Sequence, residues 1–273
     1  MNIVGYGGGT DSTAMLVGLW QHHVPVDLIL FADPGAEQPH TYHYLRIMDQ
    51  WLQAHGMPGI TQVWYTEKNG QRLTLERECL RSASLPSIAY GWKKCSLKHK
   101  VAPQEKFCAH YPPCLEAWSR GEKVTKMIGY DAGEEKRRSG ALPHDLADRK
   151  YQKEYPLMEW GWDRNRCIQE IRDAGLPLPG KSSCFFCPSM KRREIRTLYH
   201  RYPDLLERAL AIEDRARPNL LTVRGLGRNY AWRDFIEADQ AQLALPGAFS
   251  SEDLPCSCGG ETGEKEGGET MPA

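Results

Sequence analysis

The sequence predicts an α/β fold built on a parallel sheet, and three observations carry that prediction. Residues 3–13 run from a short apolar strand (Ile3, Val4) through three glycines into Thr10-Asp11-Ser12-Thr13 and a helical stretch. Residues 26–32 form a near-continuous apolar run, as a strand buried on both faces requires. Strand-like and helix-like stretches then alternate, which is the signature of βαβ units.

In order along the chain, the first strand covers 3–6. A helix over 12–23 puts Ala14, Met15, Leu16, Leu19 and Trp20 on or near one face. The strand at 26–32 is followed by a helix over 41–55, with Tyr44, Leu45, Met48, Trp51 and Leu52 at helical spacing. Residues 60–65 read as a third strand, and 123–130 as a further one with Val124, Met127 and Ile128 apolar. Past residue 151 the character changes. A helix over 163–174 leads to a loop rich in Pro and Gly over 175–183, then to one long amphipathic helix over 190–216. The loop Arg224-Gly-Leu-Gly-Arg228 precedes a short helix over 231–244, and no internal repeat is present.

Composition bounds the function. Apolar residues make up 41% and charged residues 26%, ordinary for a soluble globular chain. Lys+Arg and Asp+Glu both count 35, so net charge does not single out a nucleic-acid partner. Basic residues are nonetheless clustered, at Lys93, Lys94, Lys98 and Lys100, at Lys136, Arg137 and Arg138, and at Lys191, Arg192 and Arg193. No run approaches the roughly 18 apolar residues of a membrane span. The opening Met-Asn-Ile-Val is already strand-like, leaving no signal peptide before it. The expectation is a cytoplasmic protein with no membrane partner. Nine cysteines in that compartment point to metal or redox chemistry rather than disulfides.

The chemistry starts at the glycine run. Glycines at a strand-to-helix turn let backbone approach a ligand, and the first amides of the next helix lack partners within it. With the helix dipole they make a phosphate cradle from Gly7, Gly8, Gly9, Thr10, Asp11, Ser12 and Thr13. The run is neither Walker A nor the Rossmann pattern, since no Gly-Lys-Ser/Thr and no GxGxxG is present. The loops at 33–37 and 129–138 also follow predicted strands. All three should converge on the carboxyl edge of the sheet, where α/β folds bind ligands. Asp33 and Glu37 sit where carboxylates can hold Mg²⁺ or ribose hydroxyls. Arg137 and Arg138 have the guanidinium geometry for phosphate. Cys184 and Cys187 form a CxxC, a spacing that lets two thiolates share one metal or cluster. Cys79 and Cys167 fall within predicted helices and read as core residues. Cys256 and Cys258 form a CxC near the end of the chain.

The glycine run resembles the PP-loop of the adenine nucleotide α-hydrolase superfamily, Ser-Gly-Gly-x-Asp-Ser. Gly7 stands in place of the serine, and Gly8-Gly9-Thr10-Asp11-Ser12 match the rest. Three further segments resemble the phosphoadenosine phosphosulfate (PAPS) reductase family, a branch of that superfamily. Phe31-Ala-Asp-Pro-Gly-Ala-Glu-Gln-Pro-His-Thr-Tyr42 is similar to its Asp-Thr-Gly-x-Glu-x-Pro-x-Thr-Tyr, with Pro34 replacing the threonine. Gly129, Glu134 and Arg138 fit its Gly-x-x-x-x-Glu-x-x-x-Arg loop, which contacts the nucleotide. Tyr155-Pro-Leu-Met-Glu-Trp160 and Ser183-Cys-Phe-Phe-Cys-Pro188 are similar to its Pro-Leu-x-x-Trp and Gly-Cys-x-x-Cys-Pro segments. The matches keep family order over about residues 3–190.

The resemblance implies a HUP-type sheet of about five strands between helices, with a mostly helical C-terminal extension. With the change of character past 151 and the Gly-, Glu- and Ser-rich composition from Ser250, the chain is expected to divide into a nucleotide-binding α/β unit over 1–150, a CxxC-bearing helical region over 151–249 and a disordered tail over 250–273. The resemblance also implies ATP or PAPS as the nucleotide with Mg²⁺, and Asp11, Ser12, Cys95 and Arg137 as catalytic residues. Cys95, before a Lys-rich segment, resembles the sulfur-inserting members and is the third thiolate for Cys184 and Cys187. Three cysteines suit a 4Fe–4S cluster with one open iron. A fourth ligand from Cys108, Cys114 or His99 would instead suit Zn²⁺. The family's reductases carry a C-terminal Glu-Cys-Gly-x-His, whereas this chain has Pro255-Cys-Ser-Cys-Gly-Gly. Three readings follow. One is adenylation of a nucleic acid or nucleotide for sulfur insertion, with sulfur from a donor such as a cysteine desulfurase. Another is PAPS or APS reduction with a thioredoxin-type reductant. The third is a non-catalytic nucleotide-sensing subunit of a modification or defence complex. A homo-oligomer or a complex subunit is expected.

Overall fold

The computed structural model describes residues 1–243. Its centre is a five-stranded sheet of β1 (Asn2–Gly5), β2 (Leu28–Ala32), β3 (Ile60–Val63), β4 (Val124–Ile128) and β5 (Tyr151–Glu154), in the order β3-β2-β1-β4-β5. Every pairing is parallel, with Ile3 opposite Leu28 on one side and Lys126 on the other. The alternation of elements therefore gave the fold class correctly. Strand order reverses between β1 and β4, so their carboxyl ends flank the switch-point crevice where such sheets bind ligands.

Side chains of period two divide the sheet's faces. On one face Val4, Ile29, Phe31 and Met127 pack against α1 (Thr10–Gln21) and α2 (Pro39–Ala54). On the other, Ile3, Leu28, Leu30 and Val124 form a second core. A third core lies among the C-terminal helices, around Phe185, Phe186 and Trp232.

Between β3 and β4 the chain forms the helix expected around Cys79 and further ones that the apolar pattern does not announce. They are α3 (Leu75–Ser82), α4 (Lys94–Ser96), a π-helical stretch over Leu97–Val101, α5 (Ala102–Cys108) and α6 (Pro112–Ser119). After β4 the expected loop is shorter than 129–138, because α7 (Glu135–Ala147) begins at Glu135 and takes Arg137 and Arg138 into its first turn. The fifth strand lies beyond residue 150, the expected end of the α/β unit. So do α8 (Pro156–Glu159) and α9 (Arg164–Asp173), which pack on α1.

The single helix expected over 190–216 is two, α10 (Arg192–Arg201) and α11 (Pro203–Ala216). Pro203 has no amide to donate, and it forces Tyr202 out of the helical region, to φ −143° and ψ 62°. The chain closes with α12 (Trp232–Leu243). The tail from 250, with Cys256 and Cys258, lies outside the described residues. Among the described residues, no helix is long and apolar enough to cross a membrane.

Candidate active site

The glycine run makes the turn from β1 into α1, with Gly8 at φ +71°. Gly9 caps the helix without a side chain, and Ser12 Oγ accepts from the Gly7 amide at 3.2 Å and donates to the Gly9 carbonyl. Thr13 is fully buried: its amide donates to Gly9 and its hydroxyl meets Tyr6 at 3.2 Å, so neither group points at a ligand. Asp11 is engaged by Arg164 of α9, whose guanidinium reaches Asp11 Oδ1 at 2.5 Å and Thr10 Oγ1 at 3.0 Å. Burial raises the Asp11 carboxyl, Arg164 opposes the rise, and Asp131 and Glu134 add to it. The loop after β4 closes over the same turn, with Gly129 against the Asp11–Ser12 backbone. Arg137 pairs with Glu134 at 2.8 Å and stacks on Tyr130, while Arg138 lies over Tyr155.

The loop after β2 holds two buried carboxylates. Asp33 accepts from Tyr42 at 2.8 Å, from Arg72 at 2.6 Å and from the Gly35 amide. Glu37 accepts from Lys100 at 2.7 Å and from Ser182 at 3.3 Å. Ser182 also donates to the Gly7 carbonyl at 2.6 Å, tying the CxxC segment to the glycine turn. That segment docks on the same loop: Glu37 bridges Cys184, Gln38 N donates to Ser183 O, and Phe185 N donates to Ala36 O. The carboxylates expected to hold Mg²⁺ are thus met by Arg164, Arg72 and Lys100.

Cys184 and Cys187 close a turn, Cys187 N donating to Cys184 O at 3.0 Å, and both are partly buried in the C-terminal core together with Cys95. Burial, and then Glu37, push the Cys184 thiol well up, and burial raises Cys187 as well. Cys95 lines a cavity of about 270 Å³ with Glu78, Ser87, Lys94 and Lys98. Two of the proposed fourth ligands are elsewhere: Cys108 and Cys114 are fully buried in the core on the sheet's other face. His99 is buried with Nε2 on Glu78 at 2.5 Å and Nδ1 without a partner. Among the described residues, no three His, Cys, Asp or Glu side chains are gathered as a metal site. Cys79 and Cys167 are core residues, at 2% and 0% exposure.

Glu78 carries a testable pH dependence. Hydrogen bonding from His99 and then Lys98 pulls its carboxyl from 4.5 down to about 2, against its own desolvation. A folded-state value below the ordinary one means its contribution is complete above about 4.5 and is lost as pH falls toward 2. Glu78→Gln is expected to cost about 2–3 kcal/mol at pH 7, a gap that narrows in acid. Urea unfolding at pH 7, 4.5 and 3 measures it, and equal stabilities at pH 7 would discard this account.

Arg164, Lys100 and Ser182 complete the site, and sequence reasoning missed all three. Local signals were Asp163, which caps α9 through the Arg166 amide and so fixes where Arg164 emerges, and, for Lys100, its place in the basic cluster from Lys93.

No protein-family profile matches the chain, and no curated protein matches it. Among solved structures it is similar to the U34-tRNA thiolase NcsA from Methanococcus maripaludis with its 4Fe–4S cluster. The identity is 11% over 82% of this chain and 75% of that one, with a TM-score of 0.42.

Proposed function

We propose that the chain is a PP-loop ATP pyrophosphatase that adenylates a nucleic-acid or nucleotide substrate for sulfur insertion. One observation carries the reading. The glycine cradle and the CxxC segment share the carboxyl edge of the sheet, joined by Ser182 between Gly7 and Glu37.

In this reading the amides of the Gly8–Ser12 turn and the Ser12 hydroxyl bind the α- and β-phosphates. Arg164, already at Asp11 and Thr10, and Arg137 offset their charge. Asp11, Asp33 and Glu37 are the carboxylates that would face Mg²⁺ arriving with the nucleotide; they are not gathered as a preformed metal site and are now paired with Arg164, Arg72 and Lys100. A substrate oxygen attacks the α-phosphorus, the bond to the bridging oxygen breaks, and pyrophosphate leaves. Fixed donors aimed at the developing charge do most of this work, with no covalent residue needed.

Cys95, Cys184 and Cys187 are the residues that would hold a 4Fe–4S cluster. All three border the C-terminal core from two segments but are not gathered as a preformed metal site, so holding a cluster requires them to close up, whereas Cys108 and Cys114 lie across the sheet and cannot join them. When bound, such a cluster supplies an open iron able to carry sulfide. PAPS could occupy the same cradle as a nucleotide.

The test has two parts. With ATP, Mg²⁺ and a pool of RNA or DNA, pyrophosphate should be released while AMP stays on the substrate, and adding a sulfide donor should release that AMP in equal amount. Anaerobically purified protein should hold iron and sulfide near four each per chain, as a 4Fe–4S cluster demands, and Cys184→Ser should lose both. Zinc near one per chain would overturn the cluster assignment. Absence of pyrophosphate release with any substrate pool would overturn the enzyme assignment.

A further inference from the structure

Resting on the nucleic-acid arm of that reading, we propose that the Arg224-Gly-Leu-Gly-Arg228 turn is a rigid contact for the phosphodiester backbone of a nucleic acid. Arg224 and Arg228 are the two residues that grip it.

The first observation is a backbone outlier. Arg228 sits at φ +66°, in the left-handed region. Glycine, asparagine or aspartate occupies such a position at less cost than a long side chain. Asn229 is one residue away, yet the strained place is given to arginine. The guanidinium does not return the cost to the fold. Arg228 and Arg224 are exposed, and among the described residues neither has a carboxylate partner. Nearby arginines behave differently: Arg196 pairs with Asp239, Arg208 with Glu76, Arg217 with Asp234 and Arg233 with Asp214. Strain kept for an exposed, unpaired side chain points to something outside the chain.

The second observation is rigidity. The turn closes by Arg224 N donating to Arg228 O at 2.6 Å and Arg228 N to Gly225 O at 2.9 Å. Beneath it Glu213 of α11 is completely buried and accepts from the amides of Leu226 at 2.8 Å, Trp232 at 2.8 Å and Arg233 at 3.0 Å. A buried carboxylate is tolerated only when satisfied in this way. The arrangement leaves no room for a side chain at Gly225, where a Cβ would collide with Glu213 and Ala231. Arg224 and Arg228 are therefore presented from a fixed platform, which lowers the ordering cost of binding.

The third is location. Tyr230 lies under Arg192, 5.1 Å from its guanidinium, so the turn abuts the start of α10, where Lys191 and Arg193 are also exposed. That helix follows directly on the Cys184–Cys187 turn through Met190, whose amide donates to Cys187 O. Exposed cations spread over two adjoining segments suit an extended polyanion more than a single phosphate.

The test is fluorescence anisotropy of the full chain with an end-labelled RNA stem-loop and a DNA duplex of matching sequence, each over a range of salt. Arg228→Gly should leave the melting temperature equal or raised, because the strain is relieved, yet weaken binding about 5–10-fold. Each arginine removed should flatten the log Kd against log salt slope by about 0.7–0.9. Arg224→Ala/Arg228→Gly should weaken binding about 30-fold or more. Preference for one probe over the other assigns RNA or DNA as the source. Unchanged affinity and slope in Arg228→Gly would overturn the proposal. So would wild-type protein that binds neither probe, or that binds polyglutamate as tightly as nucleic acid. The assay contains neither ATP nor metal, so its failure is separate from failure of the pyrophosphatase reading.

Discussion

Replacing Gly129 by alanine is expected to slow pyrophosphate release about 100-fold. A Cβ there would stand 3.0 Å from Ser12 N and Cα and 3.2 Å from the Asp11 carbonyl carbon. These are backbone atoms and cannot rotate aside. Relief requires the end of β4 and the first turn of α1 to part by several tenths of an ångström, and in the proposed reading the amides of that turn set the phosphate position. Misplacement approaching 1 Å costs on the order of 100-fold in rate, whereas overpacking costs about 1–3 kcal/mol of stability. Rate should thus fall far more than stability. Gly140→Ala is the control: it lies on exposed α7 with nothing within 4 Å, and should be neutral or stabilising by up to about 1 kcal/mol. Pyrophosphate release and urea unfolding on both variants decide it. Equal rates for the two would refute the close approach as a determinant of catalysis.

Glu213→Ala should be the most destabilising single change in the C-terminal helices, by about 3–5 kcal/mol. It strips three buried amides of their acceptor and leaves a cavity. Glu213→Gln keeps the volume but turns an NH₂ toward some of those donors, and should cost about 2 kcal/mol. The loss should be local at first. Hydrogen exchange should show residues 224–243 deprotected while β1, β2 and β4 stay slow, because the sheet has its own core. Both variants within about 0.5 kcal/mol of wild type would discard this account of the buried carboxylate.

What the sequence reveals follows from where each element is buried. β2 is visible because all five of its residues are buried and apolar. α2 is visible because one face of it is core, and α1 because its run 12–19 is buried all round, between the sheet and α8 and α9. β5 is an edge strand reading Tyr-Gln-Lys-Glu, with only Tyr151 buried, so no periodicity marks it. Pro203 stood in plain view, but apolar spacing runs through it. Proline also starts helices comfortably, and it does so here in α11. The glycine cradle is legible because it is contiguous. Its partners are not, since Arg164 lies 153 residues from Asp11 and Ser182 lies 175 from Gly7. Cysteine spacing says which thiols are neighbours in sequence but not which face of a sheet they reach, and this is why Cys108 and Cys114 were candidates. Glu213 looks in sequence like one more charge on a helix, and only the returning 224–233 segment gives it a role.

Glu37 divides its two oxygens between Lys100 and Ser182, and its backbone bridges Cys184. In the proposed reading it belongs to the nucleotide site and at the same time anchors the thiol segment. If the proposed function holds, a substitution at Glu37 disturbs nucleotide and thiol chemistry together, so its loss of activity could not be apportioned between them. Ser12 on one side and Cys187 on the other, each outside that junction, are the positions where the two halves can be probed one at a time.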